Sequence, residues 1–344
     1  MWRHETKATR PFIRSREFHW IEAHDVFATE KEALAQVNED MEMAQNTIHK
    51  QFGIPFFFFR RPQWDKFPGA VDTYAADSLM PDGRALQLPS THFLGQNFAK
   101  AFNIKFLNEK GESTFGWQTC YGPAISRIYA ALFAVHGDDK GLVLPFDFAP
   151  LQVIIVPIPK KGNEETVAGK AKELKDKLAK AGLRTEVDVS ESTPGFKFNF
   201  WEMKGVPLRI EVGGREIESG EYVVCRRDTG EKAKVKEGEL APKLFELGSE
   251  LSNNIRKKAD ESFKSKMGAA STMDELKKEL GKGGFVAVPF CSMEKDGKAC
   301  ADVVKAETVG DVRGTLFGKS EKPKGKCIAC GKEAKELVYV ARQY

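Results

Sequence analysis

Long apolar runs are what this 344-residue sequence most plainly lacks. No stretch approaches the ~18 consecutive apolar residues that cross a bilayer, and the opening Met1-Trp2-Arg3-His4-Glu5 has no apolar segment of the kind an export signal carries. A cytoplasmic location is the expectation. A strong excess of one charge is missing too. The 53 Lys and Arg stand against 49 Asp and Glu, a net charge of +4, so any contact with RNA must come from local patches. No internal repeat is visible, and Glu321 to Lys326 is a short polar loop rather than a low-complexity tract. Cysteines number only six, and four of them fall in the last 54 residues. Without an export signal that distribution argues against a disulfide framework and for a metal site.

What the sequence does have is enough to build cores. Hydrophobic residues make up 41% and charged ones 30%, with 25 Phe, which excludes a disordered chain. At about 150 residues per domain the length allows two or three domains. Arg10 to Trp20 alternates Phe12, Arg14, Arg16 and Phe18 at a period of two and predicts a strand with a basic face. Thr29 to Phe52 carries apolar residues at helical spacing, and Thr29 with Glu32 forms a capping box, so one long helix is expected. Ile54 to Gln118 reads as short strands and loops with turns at Met80 to Gly83 and Glu109 to Gly111, and Thr91 to Phe102 as a short helix. Gly122 to Ala134 predicts a buried helix with one inward charge, Arg127, which calls for an anion.

From Ala149 the pattern changes. Leu151 to Pro157 is a continuous apolar strand, followed by a lysine-rich amphipathic helix over Thr166 to Ala181 closed by Gly182. Arg184 to Val189, Leu208 to Val212 and Tyr222 to Arg226 add strands, giving a small α/β layer structure. Helices over Leu240 to Lys266 and Thr272 to Leu280 lead to a flexible joint at Gly281-Lys-Gly-Gly284 and then to the cysteine-bearing C-terminal part.

Two clusters carry chemistry on their own terms. Arg3 with Glu5, and Arg14 with Arg16, Glu17 and Phe18, would set several guanidinium forks over one sheet face, a geometry suited to polyphosphate; the plain alternative is a solvated, salt-bridged hairpin. Cys291-x8-Cys300 with Cys327-x2-Cys330 offers two thiolate pairs to one tetrahedral ion, and four thiolates leave no open position. A structural Zn²⁺ is the reading, against reduced unligated thiols. Cys225 falls on a strand and reads as core.

The stretch Trp2 to His24, with Trp2-Arg-His-Glu5 and Arg10-Pro-Phe-Ile-Arg-Ser-Arg-Glu-Phe-His-Trp20, resembles the second signature motif of class II prolyl-tRNA synthetases. The likeness continues through Lys66 to Ala70, Leu79 to Gln87, Thr91 to Phe102, Trp117 to Gly122, Ser126-Arg127 and His136 to Gly141, and then to the C-terminus. It is nearest to the archaeal and eukaryotic type, with a C-terminal zinc domain and no inserted editing domain. The resemblance implies an α+β multidomain fold. Residues 1–148 would be the class II antiparallel-sheet catalytic core, residues 149–239 an α/β anticodon-binding domain, residues 240–284 a helical connection, and residues 285–344 a small α+β zinc-binding domain. The chain starts within the second motif. The first motif and a Thr-X-Glu loop of complete members are therefore absent from it, and the core is N-terminally incomplete.

By that resemblance Arg3 and Arg127 are the catalytic arginines, and ATP is held by Arg3, Glu5, Arg14, Arg16, Phe18 and Arg127. Proline would be walled by Trp20, Glu22, Phe67, His92 and Cys120. Taken singly, Trp20 and Phe67 also read as core, His92 as a satisfied buried imidazole and Cys120 as a small buried residue. Phe196, Lys197, Lys204 and Arg209 would contact the anticodon; an ordinary sheet edge with solvated lysines is the alternative. The implied function is a proline–tRNA ligase with ATP and Mg²⁺, with proline and tRNA(Pro) as partners, no membrane, and a homodimer as in full-length members. A terminal tyrosine is a family habit, and Tyr344 is expected to turn back towards the catalytic part. The rivals are a catalytically inert tRNA-binding fragment or paralogue, and an enzyme that loads cysteine or alanine, since apolar pockets discriminate poorly by size.

Overall fold

The computed structural model describes every residue except 7, 320 and 321. Lys7 in the motif-like N-terminal stretch and Glu321 at the head of the polar loop therefore lie outside the described residues. The chain forms two compact units, one of residues 1–50, 54–131 and 260–344 and the other of residues 51–53 and 132–259. Among the described residues no helix is long and apolar enough to cross a membrane.

In chain order the elements are β1 (Ala23–Phe27), α1 (Glu30–Ala44), β2 (Phe56–Arg60), β3 (Asp72–Leu79), β4 (Ala85–Gly95), α2 (Asn97–Phe102), β5 (Lys105–Leu107), β6 (Ser113–Phe115), β7 (Trp117–Pro123) and α3 (Ile125–His136). The second unit adds β8 (Val153–Ile158), α4 (Glu164–Lys180), β9 (Thr185–Val187), α5 (Pro194–Met203), β10 (Leu208–Gly213), α6 (Gly214–Ser219), β11 (Glu221–Arg226) and β12 (Lys232–Lys236). After α7 (Leu240–Ser265) come β13 (Met267–Ala269), α8 (Met273–Gly281), β14 (Phe285–Phe290), α9 (Lys298–Thr308), β15 (Asp311–Leu316) and β16 (Glu336–Ala341).

Among the described residues nine strands of the first unit make one sheet in the order β1-β7-β4-β3-β2-β15-β16-β14-β13. Only β13 and β14 run parallel. The C-terminal strands thus extend the sheet that begins at β1, joined where Thr315 and Leu316 of β15 pair with Arg60 and Phe59 of β2. Four consecutive phenylalanines make that junction possible. Phe57 and Phe59 pack with Phe263, Phe285 and Tyr339, while Phe58 packs with Ala33, Val37 and Met41 of α1. Apolar side chains on both faces suit a strand covered on both sides. Thr29 caps α1 as expected, accepting from the Glu32 backbone N–H while Glu32 accepts from that of Thr29. The last turns, Gln45–Gln51, widen to π geometry, a departure from the single regular helix.

The second unit has a five-stranded sheet, β12-β11-β10-β8-β9. One face of β8 and β10 meets Val167, Ala171, Leu174 and Leu178, the apolar stripe of α4. The other face meets Val206, Phe198 and Trp201, which is why β8 reads as an unbroken apolar run. Strand β12, missing from the sequence reading, is a lysine-rich edge that presents too little apolar alternation to be noticed.

Three expectations need correction. Arg10 to Trp20 is not a strand but a tight reversal, with Arg10 and Arg14 paired across Phe12, whose φ is 60°. Thr91 to Gly95 belongs to β4, and the helix starts only at Asn97. Gly281 to Gly284 is a close backbone crossing rather than a loose joint. Gly284 donates to the Gly83 carbonyl at 2.8 Å, and a Cβ on Gly83 would lie 2.6 Å from Gly283 Cα. With φ of 77° and 79°, both glycines occupy the left-handed region as well.

Candidate active site and thiolate cluster

The N-terminal reversal folds back on the segment before it. Arg3 N–H donates to the Arg16 carbonyl at 2.8 Å and Phe18 N–H to the Met1 carbonyl at 3.1 Å. Together with the start of α3 these segments form an open cleft lined by Arg3, Glu5, Arg14, Phe18, Ser126 and Arg127, among others. Of the six residues expected at ATP, Arg3, Glu5, Arg14, Phe18 and Arg127 line it, and Arg16 lies exposed beside it. Arg14 Nη1 donates to Glu5 Oε2 at 3.2 Å, and the Arg3 guanidinium stands 5.3 Å from the Phe18 ring centre. Ser126 Oγ accepts from the His19 N–H at 2.9 Å, tying α3 to the reversal.

Among the described residues Arg127 is held by carbonyls rather than by a carboxylate. Its Nε donates to the Ile13 carbonyl at 2.9 Å and its Nη1 to that of Gln87 at 3.4 Å. Burial lowers its pKa first, and the neighbouring Arg14 and Arg3 lower it further. Three converging guanidiniums with one carboxylate close by make a cleft that favours a multiply charged anion.

The amino-acid side is equally local. Trp20 lies across Gly122, where an added Cβ would come within 2.5 Å of the indole. Phe67 and His92 rings lie 4.8 Å apart. His92 Nδ1 pairs with Thr73 Oγ1 at 2.9 Å and Nε2 with Ser90 Oγ at 3.1 Å, and burial takes its pKa down to about 4, so it is a satisfied neutral imidazole. Cys120 sits buried beside Ala70, Leu94 and Phe98, its thiol pushed up to about 11 by burial and then by Glu22 and nearby aspartates. His24, given no role from sequence, joins Glu22 and Cys120 with one ligand atom of each within 4.8 Å of the others. Its spacing of two from Glu22 was the available signal.

Tyr344 does turn back. Its hydroxyl donates to Asp82 at 2.7 Å, and Arg10 and Arg84 lie over its ring at 5.3 and 5.7 Å. Arg10 is the base of the reversal that carries Arg14.

Cys291, Cys300, Cys327 and Cys330 come together with all four sulfurs within 4.8 Å of one another, and Cys291 and Cys300 Sγ at 3.5 Å. Tetrahedral ligation at about 2.3 Å places sulfurs roughly 3.8 Å apart, so the donor set fits Zn²⁺. The knuckle is backbone-made: Cys327 N–H donates to the Lys332 carbonyl at 2.7 Å, and Gly331 turns the chain at φ 70°. Cys330 is lowered to about 7, chiefly by the Lys332 N–H. Cys225 is buried on β11, as expected of a core residue.

In the second unit the four anticodon candidates separate. Phe196 and Lys204 are exposed, and Phe196 stacks with Phe200, over which Lys204 stands at 5.6 Å. Lys197 and Arg209 are turned inward. Lys197 Nζ donates to the Asp188 carbonyl at 3.1 Å, and Arg209 pairs with Glu202 and Glu211 and lies 3.9 Å from the Phe198 ring centre. Both charges already have protein partners. Phe200 was missed, although its spacing of four from Phe196 places it on the same helix face.

Cleft, fold and α/β unit define a class II aminoacyl-tRNA synthetase. Residues 1–136 match the class II core domain shared by the G, H, P, S and T synthetases, residues 152–247 the anticodon binding domain, and residues 273–344 the prolyl-tRNA synthetase C-terminal domain. The proline–tRNA ligase of Thermofilum pendens is 51% identical over 341 residues, 98% of this chain and 70% of that protein. That of Pyrococcus abyssi is 41% identical over 100% of this chain and 72% of its own length. The solved structure of Giardia lamblia prolyl-tRNA synthetase in complex with prolyl-adenylate superposes with a TM-score of 0.95 at 33% identity, covering 100% of this chain and 73% of that one. The chain belongs to the prolyl-tRNA synthetase family, ligases that join proline to its tRNA.

Proposed function

We propose that the cleft activates proline with ATP, taken as its Mg²⁺ complex, and that the prolyl group then passes to the 3′ end of tRNA(Pro). The carrying observation is the convergence of Arg3, Arg14 and Arg127 on one cleft, with Glu5 the carboxylate among its described lining residues. Activation is an in-line attack of the proline carboxylate on the α-phosphorus with pyrophosphate leaving. The protein needs no nucleophile of its own; it aligns two anions and neutralises the charge that gathers on the phosphoryl oxygens. Arg3 takes the α-phosphate, Arg14 and Arg16 the distal phosphates, and Phe18 stacks on adenine. Arg127, anchored through two carbonyls, presents its charge from the floor. Trp20, Phe67 and His92 wall the pyrrolidine ring, and Glu22 receives the secondary ammonium above Cys120.

The same reading divides the chain into a catalytic core over 1–148, an anticodon-binding domain over 149–239, a helical connection over 240–284 and a zinc-binding domain over 285–344. Cys291, Cys300, Cys327 and Cys330 would hold a Zn²⁺ that staples the last of these and takes no part in the reaction. Phe196, Phe200 and Lys204 form the exposed stacking face for anticodon bases, with Lys197 and Arg209 shaping it from inside. In this reading the protein is cytoplasmic, and the homodimer belongs to the full-length members of the family. Proline-dependent ATP–pyrophosphate exchange tests it, with cysteine and alanine in parallel. Exchange that requires proline and falls steeply in Arg127→Ala supports it; equal exchange with cysteine or alanine, or none with proline, refutes it.

A further inference from the structure

We infer that Glu22, His24 and Cys120 form a second cation site, open on one side and suited to a thiophilic divalent ion such as Zn²⁺. Strands β1 and β7 place His24 directly opposite Cys120, so the two side chains share a sheet face. Glu22, two residues before His24, falls on that face as well, with its Oε2 3.5 Å from His24 Nε2. One carboxylate oxygen, one imidazole nitrogen and one thiol sulfur lie within 4.8 Å of one another. The sulfur is fixed by its buried surroundings, whereas Glu22 and His24 are exposed and free to close on an ion held there. A mixed O, N and S donor set selects a borderline-soft metal over Mg²⁺ or Ca²⁺. Three protein ligands leave a fourth position for water or another donor, unlike the closed four-cysteine cluster. Binding exchanges the thiol proton for a metal–sulfur bond, the proton going to solvent, with no change of oxidation state.

The consequence is competition. Resting on the reading that Glu22 and Cys120 border proline, the ion and the amino acid claim the same groups and exclude each other, so free Zn²⁺ would act as a brake on activation.

The test is ¹¹³Cd NMR of the full 344-residue chain with Cd²⁺ supplied in excess of one equivalent. An all-sulfur site and a site with a single sulfur resonate far apart. Two resonances are expected, with Cys120→Ser and His24→Ala each losing the less sulfur-rich one and keeping the other, which also reports that the chain remains folded. A single resonance, or a second one that survives Cys120→Ser, overturns the site. Added proline should displace the second resonance. A resonance that depends on Cys120 and His24 yet ignores proline upholds the cation site and refutes instead the placing of proline against those residues.

Discussion

Two groups of arginines in the same unit are put to opposite uses. Arg61 and Arg313 clamp Asp77 in the sheet interior, with Arg61 donating at 2.9 and 2.7 Å and Arg313 at 2.8 and 3.2 Å. All three are nearly inaccessible, at 3%, 2% and 0% exposure. Arg3, Arg14 and Arg127 line a cleft instead, where Arg14 bonds to the Glu5 carboxylate and Arg127 to two carbonyls. The difference lies in the partner. Arg61 and Arg313 share one carboxylate in the sheet interior, whereas Arg127 is held by the Ile13 and Gln87 carbonyls and keeps its charge for a ligand. Gln87 touches both groups, its side chain accepting from Arg61 and its carbonyl from Arg127.

The largest effect that tests this contrast is Asp77→Asn. Removing the shared carboxylate leaves two buried guanidiniums uncompensated, and a loss of about 3–5 kcal/mol in denaturant unfolding is expected. A variant that unfolds normally yet fails in exchange would break the comparison. Next, Arg127→Ala should lower proline-dependent exchange by about 10²–10³-fold, or roughly 3–4 kcal/mol, with little change in thermal midpoint. Unfolding in that variant would place Arg127 with the structural pair.

Acid gives a third measure. Burial pushes the Asp77 carboxyl up, but Arg313 and Arg61 more than offset this and hold it at about 2. A folded value below the ordinary one of about 4 means that stability is present in full above that pH and fades between there and about pH 2. Unfolding midpoints taken across that window should fall for the parent chain and fall less steeply for Asp77→Asn. Smaller still, Gly122→Ala drives a methyl into Trp20 and should raise the KM for proline about tenfold, roughly 1.4 kcal/mol, while leaving that for ATP alone. The smallest is Thr29→Ala, which removes a helix cap remote from both groups and should cost about 1 kcal/mol of stability with exchange kept.

Much of this was legible in local sequence. The Thr29 capping box, the apolar stripe of α4 and the paired cysteines each depend on residues within a few turns of one another. The reversal at Phe12 was not, because the alternation of Phe12, Arg14, Arg16 and Phe18 is compatible with a straight strand and with a folded one alike. Thr91 to Leu94 was drawn into a helix by the helical stretch that follows, although its pairing with β3 and β7 makes it strand. The inward turn of Lys197 and Arg209 depends on Asp188, Glu202 and Glu211, which only the folded unit brings alongside. The Asp77 clamp joins positions 236 residues apart and leaves no periodic trace at all.

The pairing of β2 with β15 also sets an order of assembly. Strand β2 is complete at residue 60, but the strand that covers its outer side is not made until residues 311–316. Until then β2 is bordered by β3 alone, and the outer backbone groups of Phe59 and Arg60 lie on an uncovered sheet edge. Such an edge is a template for pairing with another nascent chain. The junction therefore closes late, after nearly the whole chain has been made.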